Sequence, residues 1–192
     1  THLLSSAASD VYKRQLNGVV PALDFLTASN RKSLGDDVAE FDSGVLNAGN
    51  KNVVVIGGGD TAMDCVRTAI RQNAKSVTCL YRRDKVNMPG SQREVQNAEE
   101  EGVNFQWLSA PHALLGDGSV QAVRARRIHL GQPDETGRQV PQIIENSDFD
   151  VDADLVIKAL GFDPEDLPVM FDFPKLGVSK WGTIHIDWKT MM

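Results

Sequence analysis

The stretch NVVVIGGGDTAMDCVRTAIRQNAKSVTCLY, residues 52–81, decides the fold. Val53-Val54-Val55-Ile56 is an unbroken β-branched run, and a strand without polar alternation is one buried on both faces, as in a parallel sheet. Gly57-Gly58-Gly59 follows at once. From Thr61 to Asn73 the apolar positions Ala62, Cys65, Val66, Ala69 and Ile70 repeat with the spacing of a helix packing on a sheet. Ser76 to Tyr81 reads as a second buried strand. Strand, glycine turn, helix and strand within about thirty residues make a βαβ unit.

Within that unit Gly57-Gly58-Gly59-Asp60-Thr61-Ala62 satisfies G-x-G-x-x-A. The pattern gains meaning from its context, because it leaves a strand and opens a helix. Gly57 permits the tight turn. The absent side chain at Gly59 lets backbone approach a pyrophosphate, and the small Ala62 lets helix and strand pack closely. The N–H groups and dipole of the first helical turn then face the phosphates. In NAD-binding folds a carboxylate about 20 residues on holds the ribose 2′-hydroxyl. Here Arg82 and Arg83 stand there, about 25 residues beyond Gly57. Guanidinium groups bind a 2′-phosphate through charge-assisted, bidentate hydrogen bonds. The cofactor expected is therefore NADP(H) rather than NAD, with Asp84 lying one step beyond the pair.

Outward from this unit, Leu16 to Leu26 reads as a short helix with Pro21 in its first turn and Val20, Leu23 and Leu26 on one face. Thr27 to Lys51 is rich in Ser, Asn, Asp and Gly and reads as a linker or surface loop with one weak strand. Ser91 to Glu101 is a polar helix, and a third strand is expected around Val103 to Leu108. Helix–strand alternation then stops. Asp117-Gly118 signals a hairpin, Val120 to Leu130 alternates loosely, Gly131 to Gly137 is a second turn, and Gln139 to Ile144 is another strand. An antiparallel β-meander is expected where a crossover helix could have stood. Ala153 to Leu160 returns to a buried strand ending at Gly161. The fold class expected is α/β: a Rossmann-like parallel sheet with a βαβ unit, plus an antiparallel β-meander.

At 192 residues the chain can bury a real core without staples. Twenty basic against twenty-six acidic side chains leave a net charge of −6, which argues against a broad nucleic-acid or anionic-membrane surface. No apolar run approaches the ~20 residues that cross a bilayer. The two cysteines, Cys65 and Cys79, form no C-x-x-C pair, so disulfide, zinc and iron–sulfur frameworks are not expected, and a reducing, cytoplasmic setting fits. Both read as core residues. His112, His129 and His185 are scattered with no acid or nucleophile arranged beside them, so no catalytic residue and no metal site is assigned. Glu94, Glu99-Glu100-Glu101 and Arg124-Arg126-Arg127 read as solvated faces. Thr1 to Gln15 lacks the basic start and long apolar centre of a signal peptide and reads as an irregular tail or an artefact. The natural protein is expected to continue in both directions.

These residues resemble the small (β) subunits of NADPH-dependent glutamate synthases, within the wider pyridine nucleotide–disulphide oxidoreductases. The likeness is carried by VVVIGGGDTAMDCVRTAIRQNAKSV (53–77), YRRDKVNMPGSQREVQNAEEEGVNF (81–105), ADLVIKALGFDP (153–164) and, upstream, LNGVVPALDFL (16–26). The resemblance implies a flavin domain split in sequence by an inserted NADPH domain. Residues 16–50 would enter from the flavin domain, 51–164 would be the NADPH domain, and 165–192 would begin the return. It places Gly57, Gly59, Asp60, Thr61 and Ala62 on the pyrophosphate, Arg82 and Arg83 on the 2′-phosphate, and Ala159-Leu160-Gly161 at a second turn beside the cofactor. It also implies the reaction: NADPH reduces FAD, and electrons cross iron–sulfur centres to a large subunit that makes glutamate from glutamine and 2-oxoglutarate. The family's cysteine clusters and its FAD fingerprint are absent from these 192 residues. FAD and iron–sulfur clusters are therefore expected only in other parts of a full-length subunit. Two alternatives stay open: a related NADPH:acceptor flavoprotein, and a non-catalytic dinucleotide-binding fragment.

Overall fold

The run Val53–Ile56 lies in the middle strand of a five-stranded sheet. In the computed structural model, which describes residues 16–133, 135, 137–161, 165–179 and 182–190, the chain divides into two units at Leu160/Gly161. The first unit opens with strand β1 (Val19–Pro21), helix α1 (Ala22–Ser33) and a one-turn helix α2 (Ala39–Asp42). Strand β2 (Asn52–Ile56), helix α3 (Asp60–Arg71) and strand β3 (Ser76–Leu80) follow as the expected βαβ unit. Helix α4 (Gln92–Glu100) and strand β4 (Asn104–Gln106) add a second crossover. Then come β5 (Ser109–Asp117), β6 (Ser119–Pro133), β7 (Gln139–Asp152) and β8 (Leu155–Lys158).

Five strands make a wholly parallel sheet in the order β1-β8-β2-β3-β4. From β2 the chain steps outward through β3 to β4, then returns on the other side of β2 as β8. The strand order therefore reverses between β2 and β8, the place where open α/β sheets form a ligand crevice at their carboxyl ends. Asp154 secures this central pairing by accepting from the Asn52 backbone N–H at 2.8 Å and from its side-chain amide at 3.0 Å.

Alternate residues of the central strands face opposite layers. Val53, Val55, Val77, Cys79, Leu155 and Ile157 pack with Phe25 of α1, with Ala62, Cys65, Val66 and Ala69 of α3, and with Val95 of α4. Val54, Ile56, Leu80 and Val156 pack with Leu114, Val120, Val123 and Ala125 of the second sheet. That sheet is the antiparallel meander β5-β6-β7. It covers the face that a doubly wound fold would give to helices, as the loss of helical periodicity after residue 108 predicts.

Two local expectations are corrected. Leu16–Leu26 is not one helix. Val19–Pro21 pairs with β8 as an edge strand, where the missing N–H of proline is tolerated, and α1 starts after it, burying Ala22, Phe25 and Ala28 while Leu23 faces solvent. Residues 27–51 contain no strand; α1 continues through them to Ser33 and α2 follows. Residues 1–15, read as an irregular tail, lie outside the described residues.

The second unit carries a one-turn helix α5 (Leu167–Met170), capped by the Asp166 side chain, and an isolated bridge between Val178 and Ile184. Among the described residues no helix is long and apolar enough to cross a membrane.

Candidate dinucleotide site

The carboxyl ends of β8, β2, β3 and β4 stand side by side, and the first three feed segments that the sequence singles out. Ala159-Leu160 leaves β8, Gly57-Gly58-Gly59 leaves β2, Tyr81-Arg82-Arg83 leaves β3, and Trp107-Leu108 leaves β4. The Gly57 N–H donates to the Leu80 carbonyl at 3.2 Å and the Ala159 N–H donates to the Ile56 carbonyl at 2.8 Å, so three of these turns are joined by backbone. Gly161 begins the second unit with φ +98°.

The three glycines have three different reasons. Gly57 has φ +145°, and a Cβ there would fall 2.1 Å from the Ala159 carbonyl oxygen. Its hydrogen lets β2 and β8 exit together. A Cβ at Gly58 would fall 2.3 Å from the Tyr81 ring, a close approach that the G-x-G-x-x-A pattern does not encode. At Gly59 nothing lies within 4 Å of a Cβ, so the missing side chain there answers no contact within the protein and leaves the tip of α3 open.

Gly59 is the N-cap of α3, with no side-chain cap. The N–H groups of Ala62 and Met63 donate to the Gly59 carbonyl at 2.9 and 3.2 Å, while those of Asp60 and Thr61 have no carbonyl one turn back. Ala62 is wholly buried against the sheet. Asp60 ties a neighbouring loop to this tip. Its Oδ1 accepts from the Ser91 N–H at 2.8 Å, and beside it the Gly90 N–H donates to the Gly58 carbonyl at 3.0 Å. These two bonds strap the 84–91 loop to the glycine turn.

Among the described residues neither Arg82 nor Arg83 has an ion pair, and the buried Arg83 Nε has no hydrogen-bond partner. Asp84 turns away from them: its Oδ1 accepts from the Asn87 backbone N–H at 2.9 Å and from its amide at 2.8 Å. The two guanidiniums therefore remain available beside the glycine turn. Tyr81 lies beneath them, its hydroxyl donating to the Asn87 carbonyl at 3.1 Å and its ring meeting Trp107 edge-on at 6.3 Å. Burial pushes its phenol above the ordinary value, while Arg83 and Arg82 pull it down.

Other residues take structural roles. Arg67 of α3 binds Glu94 and Glu101 of the α4 region, the latter at 2.7 Å, and Arg71 reaches Glu101 at 3.4 Å. Lys85 pairs with Glu99 at 2.6 Å. Glu94, Glu99 and Glu101 are thus paired rather than simply solvated. The Arg67 hydrogen bond holds the Glu101 carboxyl below the usual range. On the meander, Arg124 forks onto Asp150 at 2.8 and 2.9 Å and Arg126 binds Asp148 at 3.0 Å. Cys65 and Cys79 are buried and free, and burial pushes each thiol up to about 12. No metal-binding cluster occurs among the described residues. His112 and His129 lie on β5 and β6 of the meander.

Comparison with known proteins agrees with this architecture. The family described as pyridine nucleotide-disulphide oxidoreductase matches residues 13–190. The chain is 60% identical, over an alignment of 199 residues, to the glutamate synthase [NADPH] small chain of Azospirillum brasilense, covering 100% of this chain and 41% of that protein. It is 48% identical over 172 residues to the putative oxidoreductase AegA of Escherichia coli, covering 88% of this chain and 26% of that one. The chain thus spans well under half the length of either relative. Mycobacterium tuberculosis FprA, solved in complex with NADPH, shares the fold with a TM-score of 0.65 at 15% identity, over 83% of this chain and 48% of that one. The chain belongs to the pyridine nucleotide-disulphide oxidoreductase family.

Proposed function

We propose that this chain is the NADPH-binding, electron-input domain of a glutamate-synthase-type oxidoreductase. The observation that carries the reading is the pairing of an open helix tip with two uncommitted guanidiniums at the reversal point of a parallel sheet. The residues fit the cofactor. Space beyond Gly59 would admit a pyrophosphate to the Asp60 and Thr61 N–H groups. The orphaned Arg83 Nε is a buried donor awaiting an acceptor, and Arg82 beside it would share a 2′-phosphate. Ala159, Leu160 and Gly161 would border the cofactor's path. When bound, NADPH supplies a hydride. No acid or base from this chain is required for that, and the chain's part is to hold and orient the cofactor.

The identity to the Azospirillum protein, a glutamate synthase [NADPH] small chain, supports a role in forming glutamate with a large subunit. By the family resemblance the acceptor would be FAD, held outside residues 51–164, with iron–sulfur centres relaying the electrons. Residues 16–50 and 165–192 would then be the flanks joining this domain to the flavin domain. Two reduced, buried cysteines support a cytoplasmic setting. The likeness to AegA favours a second reading, an NADPH oxidoreductase of the same family with another final acceptor. Assaying the longer polypeptide with a glutamate synthase large subunit separates the two: glutamate formation supports the first, and NADPH oxidation without it supports the second.

The cofactor assignment is tested by calorimetry on Arg82→Ala/Arg83→Ala. NADPH binding should weaken on the order of 10²-fold, the loss of charge-assisted contacts to one phosphate, with NADH binding little changed. Equal losses for both would refute it.

A further inference from the structure

Among the described residues five non-glycine positions have positive φ: Asn50, Asn73, Asn146, Asp172 and Leu108. Four are Asn or Asp, whose short polar side chains tolerate the left-handed region. Leu108, at φ +51°, is the exception. A bulky residue held there is strained and persists only where its surroundings over-determine it.

The surroundings are specific. The Leu108 N–H donates to the Arg83 carbonyl at 3.1 Å, and the Leu108 carbonyl accepts from the Ile128 N–H at 2.7 Å. The next residue, Ser109, donates its N–H to the Tyr81 carbonyl at 3.0 Å. The chain joining the two sheets is therefore clipped between the Tyr81–Arg83 segment on one side and β6 on the other. Arg127 closes the clip. Its Nη1 donates to Gln106 Oε1 and to Ser109 Oγ, each at 3.2 Å, and its guanidinium lies 4.1 Å from the centroid of the Phe149 ring on β7. Gln106 ends β4 of the parallel sheet, so this one side chain spans β4, β5 and β7. Ser109 is wholly buried.

We propose that Leu108 and Arg127 are positioning residues for cofactor choice: the meander, through this clip, sets the direction of the Arg83 backbone and so aims its guanidinium at the 2′-phosphate. This rests on the assignment of Arg82 and Arg83 made above. A binding group must be held within a narrow range of its productive geometry, and the residues behind it do that work. Leu108 acts on the Arg83 carbonyl directly and Arg127 acts through Ser109. Their effect falls on the 2′-phosphate contact alone, which is the contact that separates NADPH from NADH.

The test measures dissociation constants for NADPH and NADH by calorimetry on the full chain, with melting temperature as a fold check. Phe149→Leu removes the ring beneath Arg127 without changing charge. Arg127→Lys keeps the charge but loses the fork. Each should weaken NADPH binding about three- to tenfold, the size of one well-made hydrogen bond turned poor, and leave NADH within about twofold. Leu108→Val, whose branched side chain disfavours φ +51°, should lower the NADPH-to-NADH binding ratio in the same direction, and Leu108→Val that melts normally with the parent ratio removes Leu108 from the clip. If both Phe149→Leu and Arg127→Lys melt normally and keep the parent NADPH-to-NADH ratio, or weaken both cofactors equally, the proposal is overturned. The Arg82→Ala/Arg83→Ala chain serves as control. If it also keeps the parent ratio, the assignment of the arginine pair fails; if it alone shifts the ratio, only the clip fails.

Discussion

The two sheets of this molecule obey the same alternation of side chains and put it to different uses. Every central strand of the parallel sheet is buried on both sides: Val53 and Val55 face the helices, Val54 and Ile56 face the meander. Its turns emerge from a scaffold that cannot shift register without exposing a buried row. The antiparallel sheet is buried on one side only, by Leu114, Val120, Val123 and Ala125, and its solvent side carries the Arg124–Asp150 and Arg126–Asp148 pairs. One sheet therefore builds the edge proposed for the cofactor, and the other covers one face of that sheet and meets it at Leu108 and Ser109. Position within the sheets, rather than residue type, decides which substitutions are costly.

The glycine turn sharpens this contrast most. Gly57→Ala puts a Cβ 2.1 Å from a backbone oxygen, at a φ that L-residues rarely adopt. Unfolding by denaturant should show a loss above about 3 kcal/mol, in the range reserved for strained backbone and overpacking. Gly59→Ala, two residues on, meets open space. It should leave the unfolding curve unchanged while weakening NADPH binding at least about tenfold, since its methyl occupies the phosphate approach. A stable Gly57→Ala or a fully binding Gly59→Ala would break the division of labour between them.

Core truncations give the next largest effects. Ile157→Ala removes a wholly buried side chain from β8 and should cost about 2–5 kcal/mol. Ile144→Ala, on β7 with 42% exposure, should change stability by less than about 0.5 kcal/mol. Comparable losses at both sites would mean that the meander's distal face is covered by something else.

The smallest effect concerns charge between α3 and α4. The Arg67 hydrogen bond lowers the Glu101 carboxyl below its ordinary 4.5. Its contribution to stability is thus complete above that value and is lost as pH falls through the lowered one. Glu101→Gln should flatten this acid-side step in a pH series of melting curves; an unchanged step would assign it to other carboxylates.

Much of the parallel sheet was legible because its signals are local. A β-branched run, a glycine turn and a helical stripe follow one another between Val53 and Cys79, and each is the direct cause of its element. The Asp117-Gly118 hairpin was legible for the same reason. Strand β1 was not: three residues ending in Pro21 carry too little pattern to outweigh the helix-like spacing of Val20, Leu23 and Leu26, and only pairing with β8 makes them a strand. The turn and the arginine pair could be named from sequence, but the role of Gly58 could not, because it depends on Tyr81 across a strand. Nor could the use of Asp60 as a strap to Ser91, or the Glu94 and Glu101 pairs with Arg67, since these partners lie about 30 residues apart and meet only in the folded chain.

The most direct test of the seat for the phosphorylated nicotinamide cofactor is an amide-resolved NMR titration of the chain with NADPH and, separately, NADH. The largest NADPH-induced shifts should map to Gly59, Asp60, Thr61 and Ala62, with shifts at Arg82 and Arg83 that NADH does not reproduce. Saturable NADPH binding that leaves these amides unmoved, or identical responses to both cofactors at the arginine pair, would contradict the account.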